Sequence, residues 1–159
     1  MKKETTTNIP AYTFNPDKKF TKYTFDGESW LNAGQFLEAL RQYQLTGNLF
    51  HDGNTAFCDG SDIVVGDRNI SVKSGKASLA EPGKLDGETV EEMLKSYFEQ
   101  TDSNEWNWEI LVDDTLVTYI MDAEEFREFT IKFGWIDGKK LRYLQTSGKM
   151  IRWFEARLG

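Results

Sequence analysis

Two short apolar runs lie on either side of Gly66-Asp67. A Gly-Asp pair between such runs is typical of a two-residue hairpin loop. With this loop, paired residues have numbers that sum to 133, so that Ile63 faces Ile70 and Asp62 faces Ser71. Side chains alternate across a strand, and one face is therefore predicted to be core, with Ile63, Val65, Ile70 and Val72. The opposite face carries Asp62, Val64, Asn69, Ser71 and Lys73.

The remaining apolar pattern predicts helices and strands on both sides of this hairpin. Apolar residues at helical spacing predict helices over Ser29–Gln44, Thr89–Glu99, the segment from Asp122 to Gly134, and Ser147–Leu158. Alternating residues predict strands at Thr55–Cys58, Trp106–Val112, Leu116–Met121 and Lys140–Leu144. The fold class that follows is α/β (α+β), a single domain with a mixed β-sheet and helices packed against it.

Residues 1–24 are polar and contain two prolines, and they are predicted to form an N-terminal arm that packs through its aromatic side chains, with an edge strand at Phe20–Phe25. Residues 25–159 then form the single domain. Trp106 and Trp108 alternate with polar residues along one predicted strand. Stacking on bases is one use for such tryptophans, but alternation beside branched apolar residues favours core packing.

Composition places the chain among globular proteins. It has 159 residues, of which 39% are hydrophobic and 28% charged, which is unlike a disordered chain. No apolar run approaches the length of a membrane span, so no membrane association is expected. A single cysteine, Cys58, excludes an internal disulfide and fits a reducing cytoplasm. His51 is the one histidine, and no His/Cys spacing typical of zinc occurs.

Charge is distributed unevenly along the chain. The net charge is −7, but residues 81–126 carry −12 and residues 127–159 carry +5. The basic C-terminal segment, with Lys149 and Arg152, is compatible with a phosphate-binding surface. The acidic segment is compatible with docking onto a basic groove of another protein. Both segments would also serve solubility alone.

The hairpin and the helix before it carry a resemblance to a known family. Ser61-Asp62 is followed by Ser71-Val72-Lys73, and Gly34-Gln35-Phe36-Leu37-Glu38 lies on the preceding helix. This arrangement resembles the PD-(D/E)XK nuclease superfamily. The resemblance implies a restriction-endonuclease-like core, Mg²⁺ held by Glu38 and Asp62, and Lys73 as the residue that orients the attacking water. Lys76, next to the motif, is a candidate phosphate contact together with Lys149 and Arg152.

The chain departs from the family pattern at Ser71, where the family has Glu or Asp. A hydroxyl is a much poorer Mg²⁺ ligand than a carboxylate. Two outcomes remain open: Glu38 supplies the second carboxylate and catalysis persists, or the domain binds nucleic acid without cleaving it. Each candidate also has a structural interpretation, in which the hairpin has one solvated face and Glu38 and Lys76 are solvated charges.

The functional expectation is a nuclease-fold protein that acts on or binds DNA or RNA. The second half of the chain, through Tyr119-x-Met121-Asp122, Glu125-Phe126 and Lys149-Met150, loosely resembles small nuclease-like proteins encoded on bacterial mobile elements. A phage or mobile-element protein is therefore expected. The alternative is a non-enzymatic inhibitor, such as an anti-CRISPR or antirestriction protein, whose acidic middle segment binds a host nuclease.

Overall fold

The computed structural model describes residues 1–7, 9, 11–14, 23–25, 28–30, 33–47, 62–78, 87–137 and 140–159. His51, Cys58 and the predicted strand Thr55–Cys58 lie outside these residues. The elements, in chain order, are β1 (Lys2–Thr6), β2 (Thr13–Phe14), β3 (Tyr23–Phe25), β4 (Glu28–Trp30), α1 (Ala33–Thr46), β5 (Ile63–Val65), β6 (Arg68–Ser74), β7 (Lys76–Ala77), α2 (Val90–Gln100), β8 (Glu105–Val112), β9 (Thr115–Met121), α3 (Ala123–Phe133), β10 (Trp135–Asp137), β11 (Lys140–Gln145) and α4 (Gly148–Leu158).

A five-stranded mixed sheet forms the centre of the fold, with strand order β1-β9-β8-β6-β5. The β5–β6 hairpin has the predicted register, in which Ile63 pairs with Ile70 and Val65 with Arg68. Strand β6 then pairs in parallel with β8. Parallel strands need a long crossover connection, and α2 lies within it. The mixed α/β architecture predicted from the sequence is confirmed.

Helices cover both faces of this sheet. On one face, α1 packs through Phe36, Leu37 and Leu40 against Leu116 of β9. On the other face, α2, α3 and α4 enclose a larger core that is rich in aromatic rings. Its buried members are Leu94, Tyr97, Trp106, Trp108, Tyr119, Met121, Phe126, Phe129, Leu144, Met150 and Phe154. Trp106 and Trp108 are completely enclosed there, so the prediction of core packing for these two residues is confirmed.

Side chains at the helix ends explain where the helices begin. Thr89, Asp122 and Ser147 each accept a backbone N–H from the first turn of α2, α3 and α4 respectively, which satisfies donors that have no partner inside a helix. Glu125 completes a capping box with Asp122. No helix in the described part of the chain is both long and apolar enough to cross a membrane.

Two parts of the N-terminal region differ from the prediction. Lys2–Thr6, predicted as part of an arm, is an edge strand that pairs antiparallel with β9. Ser29 and Trp30, predicted to open the first helix, belong to β4, which pairs with β3, and the helix begins at Ala33. Trp30 lies three and seven residues before Ala33 and Leu37, a spacing that also fits a helix, so spacing alone does not identify the strand.

A second small sheet, with order β10-β11-β7, extends from the end of β6. Gly75 separates β6 from β7 with a φ of +58°, a backbone conformation that glycine adopts without steric cost. The carbonyl of Gly75 accepts the N–H of Thr146 at 2.8 Å. This contact holds the C-terminal end of β6 beside the start of α4.

Candidate functional site

Glu38 reaches the site from α1, whose position is fixed by burial. Phe36, Leu37 and Leu40 on the same helix are almost fully enclosed, with exposures of 7% or less, and hold it against the sheet. The helix ends at Gly47, whose N–H donates to the Tyr43 carbonyl at 2.8 Å and whose φ is +79°. The side chain of Glu38 is half-buried, so it is directed neither into the apolar core nor fully into water.

Asp62 lies immediately before β5, at the place that the hairpin register assigns opposite Ser71. Its Oδ2 accepts the backbone N–H of Val72 at 2.7 Å. This hydrogen bond fixes the direction of the carboxylate, which is half-buried. Local pairing of two strands therefore places an oriented carboxylate against the Ser71-Val72-Lys73 triplet.

Lys73 lies near the end of β6 and is half-buried. Its Nζ donates to the carbonyl of Ser78 at 3.2 Å, so the ammonium is held at the same edge of the sheet. The charge of Lys73 interacts with both Glu38 and Asp62. Glu38, Asp62 and Lys73 therefore influence one another electrostatically, and their assignment to one site stays a prediction.

The pKa values of Glu38 and Asp62 are both raised, because both carboxyl groups are partly buried and the Lys73 ammonium offsets only part of that effect. The pKa of Glu38 is raised to about 8, mainly by burial and to a lesser extent by the Asp62 charge, while Lys73 opposes the shift. Burial also raises the pKa of Asp62, while the Val72 N–H and Lys73 lower it. Two carboxylates that share a partly dry site repel each other, and one ammonium does not balance both.

A hard divalent cation fits this donor set. Mg²⁺ is commonly held by one or two carboxylates together with water and substrate phosphate oxygens. Glu38 and Asp62 would supply two such carboxylates, and a bound cation would offset the burial and the Asp62 charge that raise the pKa of Glu38. No group of three or more His, Cys, Asp or Glu side chains that could hold a metal occurs among the described residues, so the protein would supply two acidic ligands only.

Ser71 is turned toward a neighbouring loop. Its Oγ lies 2.6 Å from the Oγ of Ser103, in the segment between α2 and β8, and the residue is only 6% exposed. The same loop is tied to the hairpin through Asn104, whose N–H donates to the Asn69 carbonyl at 2.9 Å. Ser71 therefore has a packing role that links the hairpin to the crossover.

The predicted nucleic-acid contacts are exposed, and one of them adjoins the three-residue site. Lys76 lies on β7, three positions beyond Lys73, and its Nζ lies 4.2 Å from the centre of the Tyr143 ring. Lys149 and Arg152 are exposed on α4. Because Gln145 pairs with Lys76, the start of α4 follows directly after the strand next to Lys76.

A buried polar network beneath α1 was missed by the sequence analysis. Arg41 is fully enclosed; its Nε donates to Asn107 at 2.7 Å and its Nη1 donates to Glu4 at 2.7 Å. Glu109, also enclosed, accepts the Thr118 hydroxyl at 2.6 Å and lies 3.5 Å from Arg41 Nε. Burial raises the pKa of Glu109 to about 8. The sequence does contain a signal for this network: Arg41 lies next to Leu40 and four residues after Leu37, and it therefore lies on the buried stripe of the helix.

Comparison with known proteins gives no relative: no protein-family model matches the sequence, and no significant match is found among curated proteins or solved structures.

Proposed function

We propose that this chain is a nuclease-like protein that acts on DNA or RNA through a Mg²⁺-dependent site formed by Glu38, Asp62 and Lys73. The observation that carries the proposal is that the charges of Asp62 and Lys73 act on Glu38 and that Lys73 also acts on Asp62, beside the β5–β6 hairpin. The sequence resemblance to PD-(D/E)XK nucleases supports the same assignment, since it selects the same three residues independently of the coordinates.

Each side chain has a distinct task in this proposal. Asp62, oriented by the Val72 N–H at 2.7 Å, would hold the cation from a fixed direction. Glu38 would ligate it once its carboxyl proton is lost, which its raised pKa makes a pH-dependent step. The Lys73 ammonium would orient the attacking water and balance negative charge that develops on the phosphate. Bound Mg²⁺ polarises a phosphodiester and activates water.

Ser71 limits the strength of such a site. With a hydroxyl that is already paired with Ser103, this position adds no charge toward a cation. Two carboxylates give weaker cation binding than three, because each hard anionic ligand contributes to affinity. The proposal therefore includes weak metal binding, with catalysis slow or replaced by binding of nucleic acid alone.

The test uses substitutions that change charge and keep shape. Asp62→Asn retains an oxygen that can accept the Val72 N–H but removes the ligand charge. Mn²⁺ binding by titration calorimetry and cleavage of plasmid and labelled oligonucleotides with Mg²⁺ or Mn²⁺ are measured side by side. We expect Asp62→Asn and Glu38→Gln to weaken metal binding by about tenfold or more, and Lys73→Ala to abolish cleavage while metal still binds.

Asp67→Asn is the matched control, because Asp67 is an exposed loop residue of the same hairpin and undergoes the same chemical change. It should behave as wild type. Equal metal binding in wild type and Asp62→Asn would remove the metal site from the proposal. Equal cleavage in wild type and Lys73→Ala would remove the catalytic assignment.

A second candidate function rests on a groove of about 590 Å³ along α2 and α3. Its rim carries Glu91, Glu92 and Glu99 together with Lys95 and Arg127, which leaves a net charge of −1, and Leu94 and Phe98 lie along its floor. A basic segment of a host nuclease would be steered toward such a rim, which corresponds to an inhibitor. The triple change Glu91→Gln, Glu92→Gln and Glu99→Gln should then abolish inhibition of that nuclease, whereas Asp62→Asn should leave the inhibition intact.

A further inference from the structure

The outer face of the small sheet carries an aromatic and cationic row beside the candidate site. Trp135 pairs with Tyr143, and Lys76 pairs with Gln145. Because alternate residues share a face of a strand, these four side chains lie on one side. Leu144, between Tyr143 and Gln145, is fully enclosed, and its pairing partner Ala77 packs against the main core. The opposite side of the sheet is thus the inner one.

Trp135 is one of the large apolar side chains that are exposed in the described part of the chain. It is 50% exposed, although an indole is among the side chains whose burial stabilises most. Its ring centre lies 5.3 Å from that of Tyr143, at an angle of 39°, so the two rings are neighbours while half of the Trp135 side chain is open to solvent. Lys76 Nζ lies 4.2 Å from the Tyr143 centre. Ring and ammonium are therefore adjacent on a supported surface.

This combination fits nucleic acid with unpaired bases. Exposed aromatic rings on a sheet stack bases, and each stacked base is worth about 1–3 kcal/mol by alanine substitution. A nearby ammonium pairs with the phosphate of the same nucleotide. Duplex bases are already stacked on their neighbours, so a flat ring on a sheet favours single strands.

The position of the row relates it to the candidate site. Lys76 lies three residues beyond Lys73, and Lys73 Nζ donates to the carbonyl of Ser78, directly after β7. A strand whose base stacks on Trp135 and whose phosphate meets Lys76 would continue toward the Glu38, Asp62 and Lys73 site. We propose that Trp135, Tyr143 and Lys76 form a stacking platform that selects single-stranded nucleic acid. This inference deepens the proposed function and rests on it, because it names the substrate class.

The test measures binding rather than cleavage. Fluorescence anisotropy follows a labelled oligothymidylate of about 12 nucleotides, the scale of a single-strand site, in EDTA so that no metal-dependent cleavage takes place. Wild type is compared with Trp135→Ala, Trp135→Phe and Lys76→Gln, and with Val112→Ala as control. Val112, the last residue of β8, is 52% exposed, so the control removes a similarly exposed apolar side chain that does not belong to the small sheet. A second probe is an abasic oligomer of the same length, which has equal charge and no bases.

We expect Trp135→Ala to raise Kd for oligothymidylate about tenfold, the factor that corresponds to 1.4 kcal/mol, with Trp135→Phe between it and wild type. Lys76→Gln should weaken binding of both the oligothymidylate and the abasic oligomer. Val112→Ala should bind both probes as wild type does. The abasic oligomer should bind wild type and Trp135→Ala alike. An oligoribouridylate arm determines whether RNA is bound as well.

Equal affinity of wild type and Trp135→Ala for oligothymidylate overturns the platform, as does failure of wild type to bind any single strand. The proposed function has its own readout, which is metal binding and cleavage in the Asp62→Asn series. Metal-dependent duplex cleavage that is unaffected by Trp135→Ala would leave the Glu38, Asp62 and Lys73 site standing without the platform. Single-strand binding by a wild-type protein that neither binds metal nor cleaves would leave the platform standing without the metal site.

Discussion

Ser71 shows how a single residue sets the character of the site. The register of the hairpin places this position opposite Asp62, and its hydroxyl contacts Ser103 at 2.6 Å. The positions of Asp62 and Lys73 could be predicted from sequence, because a two-residue loop fixes register over a few residues. The raised pKa of Glu38 could not, since it depends on how deeply α1 is buried.

Ser71→Asp should increase metal affinity. The new carboxylate would stand opposite Asp62 and add a third hard ligand, and we expect Mn²⁺ to bind about tenfold more tightly, equivalent to about 1.4 kcal/mol, by titration calorimetry. Ser103→Ala is the control, because it removes the same hydroxyl contact without adding charge. If both variants bind Mn²⁺ as wild type does, position 71 does not face the site.

Glu109→Gln should change how stability depends on pH. The pKa of Glu109 is raised to about 8 by burial, so between about pH 4.5 and 8 the folded state keeps a proton that the unfolded state has lost. Stability therefore falls as pH rises through this window, by up to about 1.4 kcal/mol per pH unit for one group. In Glu109→Gln this contribution disappears, and urea unfolding from pH 5 to 8 should show a smaller slope than wild type.

A different result would follow if Glu109 were ionised in the folded protein and formed a strong ion pair with Arg41, from which it lies 3.5 Å away. Glu109→Gln would then lose a similar amount of stability at every pH in the range. Asp114→Asn, at an exposed turn residue, is the control for the loss of a carboxylate alone.

At the scale of elements, α1 is fastened to the sheet by a buried charge as well as by apolar contacts. Arg41 on α1 reaches Asn107 on β8 and Glu4 on β1. Alternation of tryptophans in β8 predicted one buried face, and that face is buried. The opposite face, with Asn107 and Glu109, is enclosed too. Sequence could not predict this, because polar residues at alternate positions are typical of a solvated face.

Arg41→Lys should loosen α1. Lysine keeps the charge but lacks the planar set of donors that meets Asn107 and Glu4 together. Loss of a hydrogen bond to a charged group costs about 1.5–3 kcal/mol, and we expect the free energy of unfolding to fall by about this amount in urea titration. Because Glu38 lies on the same helix, Mn²⁺ affinity should fall as well.

Arg127→Lys is the surface control for that variant, since Arg127 is half exposed and lies 3.9 Å from Glu91. It should change neither stability nor metal binding measurably. A stability loss in Arg41→Lys with unchanged metal affinity would mean that Glu38 does not depend on the anchoring of α1.

At the scale of the whole molecule, a net charge of −7 is separated into an acidic middle segment and a basic C-terminal segment. Binding of nucleic acid must then rely on local cations and should be sensitive to salt. The double variant Lys149→Gln and Arg152→Gln should lower the slope of log Kd against log salt by about 1.4 for a single strand, or about 0.7 per lost phosphate contact. Anisotropy titrations at several KCl concentrations measure it.

Lys95→Gln is the matched control, because Lys95 lies on α2 among acidic residues and should not meet a phosphate. A slope that is unchanged in the double variant would place the phosphate contacts away from α4.

The general architecture was predictable and its connectivity was not. The hairpin, the capped helices α2, α3 and α4, and the strands β8 and β9 follow local patterns. The parallel pairing of β6 with β8 and the addition of β1 at the edge join distant segments. No local pattern in Lys2–Thr6 distinguishes a strand from an arm, because its pairing depends on what β9 leaves open.

The pairing of β1 with β9 also has a consequence for the order of assembly. Lys2 and its partner Ile120 are 118 positions apart in the chain, and contacts between such distant residues form slowly because a long loop has to close first. We therefore expect the sheet to be completed late in folding. Until β1 is in place, the edge of β9 presents unpaired backbone N–H and C=O groups, at which a strand of another chain would bind.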